Sequence, residues 1–327
     1  MDTLVPRPAM ILSDPDTGSM NVTYVADSVR MSGYGGKADG FYLFEPVSPK
    51  PDSAPVVVFN HGYASLNPMA YGEWIRHLVR QGNVVVFPNY QRNAFFPFPH
   101  RFARNVAKAY FDALDTLSRG DHVRPLPGPL VMAGHSYGGA TAAFLGVKYQ
   151  RYNLPPIKGL MLCAPGTGPL RGLRLGSYRK LPEDTRLIIV SSVNDVVVGE
   201  RFQRRIFNTA TNTPQRIFLR LYPDNSGQPG IRARHSECYS LNEAFDNGTR
   251  NPTIGRSFWI GRTDAADYFG YWKLMDALFA CVRRHGDCDW LFSDTPQVRY
   301  LGKWPDGRPV KELEVILPGQ PFGPIQR

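Results

Sequence analysis

The sequence predicts an α/β fold: a mainly parallel central sheet with helices on both faces and no large cap domain. Two patterns carry this reading. Short apolar runs alternate with segments of helical spacing along most of the chain, as parallel strands joined by crossover helices do. The strands are also apolar almost throughout, which marks a sheet buried on both faces. The chain has 327 residues, 43% hydrophobic and 20% charged, enough for one large core. No linker, repeat or low-complexity tract divides it, so residues 1–327 are read as one domain. Its core spans about 54–282, and residues 283–327, rich in Pro, Gly and charge, are read as a C-terminal surface extension.

The elements follow in order. Strands are expected at Asn21 to Val25, Phe41 to Phe44 and Pro55 to Asn60. Met69, Trp74, Ile75 and Leu78 recur at helical spacing in Met69 to Arg80. A buried strand at Asn83 to Phe87 leads to a helix at Phe102 to Leu117, with Val106, Ala109, Tyr110 and Leu114 on its apolar face. The strand Leu130 to Ala133 precedes a helix of small residues, Ala140 to Gly146. Strands Ile157 to Cys163, Arg186 to Val193 and Gln215 to Tyr222 follow, with a helix at Gly199 to Phe207 between the last two. Tyr268, Tyr271, Trp272, Met275 and Leu278 give the final helix, Ala265 to Val282, a core face.

Composition excludes several function classes. The formal charge is +10, but basic residues are scattered in RHLVR, RFARNVAK, RGLRLGSYRK and RFQRR, with no recognition motif or basic tail. A solvated basic surface is expected, with no nucleic-acid partner. No apolar run reaches the roughly 20 residues that span a bilayer. The amino terminus lacks the basic start and apolar stretch of a signal peptide, so the chain as written is expected in the cytoplasm, or secreted if an export signal was trimmed. The four cysteines, Cys163, Cys238, Cys281 and Cys288, form no zinc-type cluster. Cys281 and Cys288 are close enough in sequence for a local disulfide, with two free thiols as the equal alternative; a bridge would favour an extracytoplasmic setting.

The chemistry centres on Gly134-His135-Ser136-Tyr137-Gly138, a G-x-S-x-G pattern between the strand and the small-residue helix. A strand, a sharp turn and a helix present the central hydroxyl at the top of a sheet, so Ser136 is the candidate nucleophile. A serine hydroxyl needs a base within hydrogen-bond reach, and the base needs an orienting acid. His61-Gly62-Tyr63 follows one core strand, Asp195 ends another, and His235 lies in RARHSECYS beyond a third. Together with GHSYGG these motifs resemble the α/β-hydrolase family, and within it the dienelactone-hydrolase, chlorophyllase and cutinase-like polyester-hydrolase branches. The likeness covers roughly Ala54 to Val282.

That resemblance implies the chain order serine, acid, histidine. Only His235 and His285 then qualify as the base, and His285, at a cationic helix end, is the weaker candidate. Asp195 is the expected acid, with Asp224 in YPDN as its rival and helix capping as its plainer role. The amides of Tyr63 and Tyr137 are the candidate oxyanion hole. His61 and His135 are expected to shape loops or pack rather than catalyse. Ser136 departs from the Asp and Cys nucleophiles of related dehalogenases and of dienelactone hydrolases proper.

The span Ala164 to Thr185 is too short for a cap domain, so an open site is expected. Arg171, Arg174, Arg179 and Lys180 there are read as solvated surface, with contact to an acidic substrate as the alternative. Phe95, Phe96 and Trp259 are the candidate substrate-binding aromatics, and Pro223 to Thr263 a second wall or lid. The expected activity is hydrolysis of a small or polymeric carboxylic ester through an acyl-enzyme. Thioesterase, amidase or peptidase activity, and a noncatalytic binding protein, are the alternatives. No metal or organic cofactor is called for by this chemistry, and no motif suggests one.

Overall fold

The apolar runs assemble into a nine-stranded sheet. The computed structural model describes residues 23–36, 38–93, 95, 97–168, 172–284 and 288–325. In chain order the strands are β1 (Ser28–Tyr34), β2 (Phe41–Ser48), β3 (Val56–Asn60), β4 (Val84–Pro88) and β5 (Leu130–His135). They continue with β6 (Ile157–Cys163), β7 (Arg186–Ser192), β8 (Arg216–Leu221) and β9 (Glu314–Ile316). Their spatial order is β1-β2-β4-β3-β5-β6-β7-β8-β9. The six from β4 to β8 in that order run parallel, while β2 and β9 pair antiparallel with β4 and β8, and β1 with β2.

Side chains on the parallel strands alternate between two cores because successive residues point to opposite faces. Val57 and Phe59 join the core under α1 (Gly72–Arg80) and the late helical segment, whereas Val58 joins the opposite core. That second core packs α2 (Phe102–Leu117), α3 (Tyr137–Lys148) and α4 (Arg201–Thr209). Helix α5 (Pro252–Ile260) lies in the long excursion after β8, and α6 (Lys273–Arg284) continues a π-helical stretch, Ala266–Trp272. Among the described residues no helix is long and apolar enough to cross a membrane.

Several expectations need correction. Residues 21 and 22 lie outside the described residues, and Thr23 to Asp27 is not strand; the first strand is Ser28–Tyr34 instead. It is an edge strand with one neighbour, so its half-buried alternation is weak. Expectation and structure also differ after Cys288. That segment is no mere surface wrap: it supplies β9, and Leu291, Val298, Leu301, Val310 and Leu313 join the core. Cys281 and Cys288 form a disulfide, while Cys163 and Cys238 are free and buried.

The tail is anchored by charge as well. Arg220 on β8 is fully buried and donates to Glu200 (2.8 and 3.0 Å), to Glu314 on β9 (3.1 Å) and to the Gly323 carbonyl (3.1 Å). Registry brings the carboxyl ends of the parallel strands level, with Asn60 opposite Gly134, His135 opposite Cys163, and Ser192 opposite Leu221. The loops leaving that edge meet.

Candidate active site

Ser136 stands between β5 and α3 at φ +53° and ψ −119°, a backbone state that L-residues avoid and that costs about 1–3 kcal/mol. The surroundings hold it there. Its N–H donates to the Cys163 carbonyl at 2.9 Å, and its own carbonyl accepts from Gly166 at 3.0 Å. Glycine is required on both sides by close approach. A Cβ on Gly134 would meet the Gly138 carbonyl oxygen at 2.6 Å, and one on Gly138 would meet those of Asn60 and His61 at 2.2 and 2.3 Å. The backbone of the β3 exit is thereby pressed against the turn.

His235 reaches Ser136 from the loop beyond β8. Its Nε2 lies 2.8 Å from Ser136 Oγ, and its Nδ1 lies 2.7 Å from Asp195 Oδ2. The carboxylate can only accept from Nδ1–H, so in the neutral ring Nε2 is left to accept the serine proton. Burial alone would push the Asp195 carboxyl up. Its hydrogen bond and attraction to His235, with the N–H groups of Val198 and Val197 on Oδ1, outweigh that and hold it below its ordinary value.

The rival acid has other work. Asp224 accepts from Trp304 Nε1 (3.0 Å) and the Lys311 N–H (2.8 Å), and so ties the tail to the end of β8. His285 lies outside the described residues.

The loop carrying His235 is braced on both flanks. The Glu237 carboxylate accepts the N–H groups of Arg232 (3.0 Å) and Arg234 (2.9 Å), and Asn194 donates to the Arg232 carbonyl at 3.0 Å. Beneath it runs a relay that sequence reasoning did not find. Buried His135 can only donate from Nε2 to the His235 carbonyl (2.8 Å), so its Nδ1 accepts from the Tyr71 hydroxyl at 2.8 Å. Tyr71 Oη in turn accepts the Gly62 N–H at 2.8 Å. One chain of hydrogen bonds therefore links the His235 loop to the loop of the candidate oxyanion hole.

His61 is buried and stacked on Tyr90, with ring centroids 4.2 Å apart. Burial pulls its pKa down to about 4 despite the Gly62 and Asn89 carbonyls at its nitrogens. It shapes the loop, as expected. Gly62 and Tyr63 line the same cleft as Ser136, and Tyr137 opens α3, where the first N–H groups lack helical partners. The Tyr137 side chain faces away, buried against Phe102 and donating to the Gly172 carbonyl at 3.1 Å.

The cleft above the triad measures about 1400 Å³. Its walls correct the expected pocket. Phe95 and Trp259 are 80% and 81% exposed and lie outside the cleft lining, and Phe96 is outside the described residues. On α5 the cleft is lined by Pro252, Thr253, Arg256 and Ile260, residues adjacent or three to four apart on one face, and not by Trp259. Arg174, Arg179 and Lys180 do not line it either: Arg174 donates to Thr167 Oγ1 at 2.6 Å, and Arg171 is outside the described residues. The excursion from Pro223 to Thr263 does form a wall. Within that wall Asp264 is half-buried, and burial together with the Glu237 charge pushes its pKa up to about 7.

Among the described residues, no group of three or more His, Cys, Asp or Glu could hold a metal ion. No family model matches this chain, and no curated protein sequence matches it.

Proposed function

We propose that this protein is a serine hydrolase of carboxylic esters with an α/β-hydrolase fold, akin to the dienelactone-hydrolase, chlorophyllase and cutinase-like branches. The observation that carries the reading is the double hydrogen bond of His235, to Ser136 Oγ and Asp195 Oδ2. The strand order, with a reversed β2 before six parallel strands, supports the fold.

In this reading Ser136 Oγ attacks the ester carbonyl carbon as its proton passes to His235 Nε2. Negative charge gathers on the carbonyl oxygen, where the amides of Tyr63 and Tyr137 receive it; a donor in such a position is worth about 3 kcal/mol. Collapse breaks the bond to the alcohol, which leaves with the proton from His235. Water then attacks the acyl-enzyme, giving its proton to His235, and the carboxylic acid departs as Ser136 recovers its hydrogen. Asp195 holds the ring's tautomer and stabilises the imidazolium throughout. Thioesters and amides would use the same groups, and the intact triad weighs against a noncatalytic binding protein. The Cys281–Cys288 bridge weighs toward an oxidising compartment.

The test is hydrolysis of p-nitrophenyl butyrate together with labelling by a fluorophosphonate. Ser136→Ala should abolish labelling and lower kcat by at least about 10⁴-fold. Full activity in that variant would sink the proposal.

A further inference from the structure

The cleft over the triad is lined by seven arginines and four carboxylates, and by no lysine. Three separate stretches of chain deliver the arginines. Arg201, Arg204 and Arg205 share one face of α4, at the spacing of neighbouring turns. Arg232 and Arg234 flank the base on the His235 loop, and Arg256 and Arg262 come from α5 and its exit.

The four carboxylates are committed elsewhere. Asp195 holds His235 and two backbone N–H groups. Glu200 is taken by Arg204 and the buried Arg220. Glu237 caps the backbone of the His235 loop. Asp264 accepts the Ala266 N–H at 2.9 Å, and its raised pKa leaves it partly neutral near pH 7. Arg204 pairs with Glu200, and Arg262 lies near enough to Asp264 for their charges to interact, but among the described residues none of the six guanidinium groups other than Arg204 is in a close ion pair. Here planar, always-charged forks converge on one concavity, the geometry that receives carboxylate and phosphate groups in pairs of hydrogen bonds.

We infer that the cleft selects esters that carry an anionic group, a carboxylate or a phosphate, on the acyl or the alcohol side of the scissile bond. This rests on the reading of Ser136, His235 and Asp195 as a hydrolytic triad. The arginines hold the anion and bring the ester carbonyl over Ser136, so specificity comes from a wall that takes no part in bond breaking.

The experiment compares kcat/KM of the full chain for two matched pairs, each rate divided by that ester's alkaline hydrolysis. One pair is p-nitrophenyl hemisuccinate against p-nitrophenyl butyrate, with the charge on the acyl side. The other is p-acetoxybenzoate against its methyl ester, with the charge on the alcohol side. At low ionic strength at least one anionic partner should be favoured by about tenfold or more, as charge focusing in a cleft allows. That preference should shrink with added sodium chloride and in Arg201→Gln/Arg205→Gln or Arg232→Gln/Arg234→Gln. It should persist in Arg119→Gln/Arg151→Gln, which removes the same charge from the surface outside the cleft.

Equal use of charged and neutral esters overturns the inference and leaves the hydrolase reading standing. So does a preference that survives both cleft double variants, or one that R119Q/R151Q reduces equally. A protein that cleaves none of the four esters and takes no fluorophosphonate overturns both.

Discussion

The two walls of the cleft are built by opposite means. On the Ser136 side the parts are small, buried and joined by backbone: Gly134 and Gly138 admit carbonyls to within contact, and Tyr71 and His135 saturate their hydrogen bonds. On the arginine side the parts are long, largely exposed side chains with few fixed partners. The first wall spends conformational strain to hold one atom in position. The second holds charge in a region and leaves its geometry to whatever enters. Chemistry that breaks bonds needs the first kind of wall, and selection by charge needs only the second.

The sharpest way to break this contrast is at the two aspartates that leave the sheet at neighbouring strand ends. Asp195→Asn should lower kcat by about 10⁴-fold with little change in melting temperature, because it spoils the tautomer of His235. Asp224→Asn should do the reverse. Whichever way the amide lies, its N–H group faces a donor, either the Ser226 N–H or those of Trp304 and Lys311, which should cost about 1–3 kcal/mol of stability, read by urea unfolding, with kcat retained. If the kinetic losses exchange places, the acid has been misassigned.

A smaller effect is expected at the relay beneath the base. Tyr71→Phe keeps the ring and removes the hydroxyl, stranding the Gly62 N–H and His135 Nδ1. Stability should fall by about 1–3 kcal/mol. As both the base and the oxyanion loop lose a support, kcat should fall about tenfold with KM little altered. An unchanged kcat would make the relay purely structural.

The smallest effect concerns Asp264, whose pKa rises from 3.8 to about 7 on folding. Between those values the folded protein binds a proton that the unfolded chain has released. Stability is therefore lost as pH rises through that window and is fully present only below it. Asp264→Asn keeps an acceptor for the Ala266 N–H and removes the titration. Its melting temperature relative to the parent should climb between about pH 5 and about pH 8. A difference that is flat with pH would show that the carboxyl titrates normally.

How much of this could be read in advance follows from the same contrast. The turn at Ser136 was legible because its requirements sit in one contiguous segment, Gly134 to Gly138. Asp195 and His235 were legible because each had to follow a strand, in an order that the family resemblance supplies. The arginine wall was hidden because it is assembled from three separate segments, two of them helical, whose meeting no local pattern specifies. Its one visible trace was the helical spacing within RFQRR, read as diffuse charge. Helix α5 had left a clearer sign: Asn251 caps Ile254 N–H and Pro252 takes the first turn, a standard helix start. The partnership of Tyr71 with His135 had none, since the residues are 64 positions apart.

Arg220 has a practical consequence at the far end of the chain. Glu314 and Gly323 share that guanidinium with Glu200, which sits at the start of the helix bearing Arg201 and Arg205. Cutting the chain before Glu314 would therefore act as a lesion inside the sheet: β9 is lost, and the buried Arg220 keeps Glu200 but loses Glu314 and the Gly323 carbonyl. Truncation libraries should expect a cliff once Glu314 is removed, in place of a gradual decline.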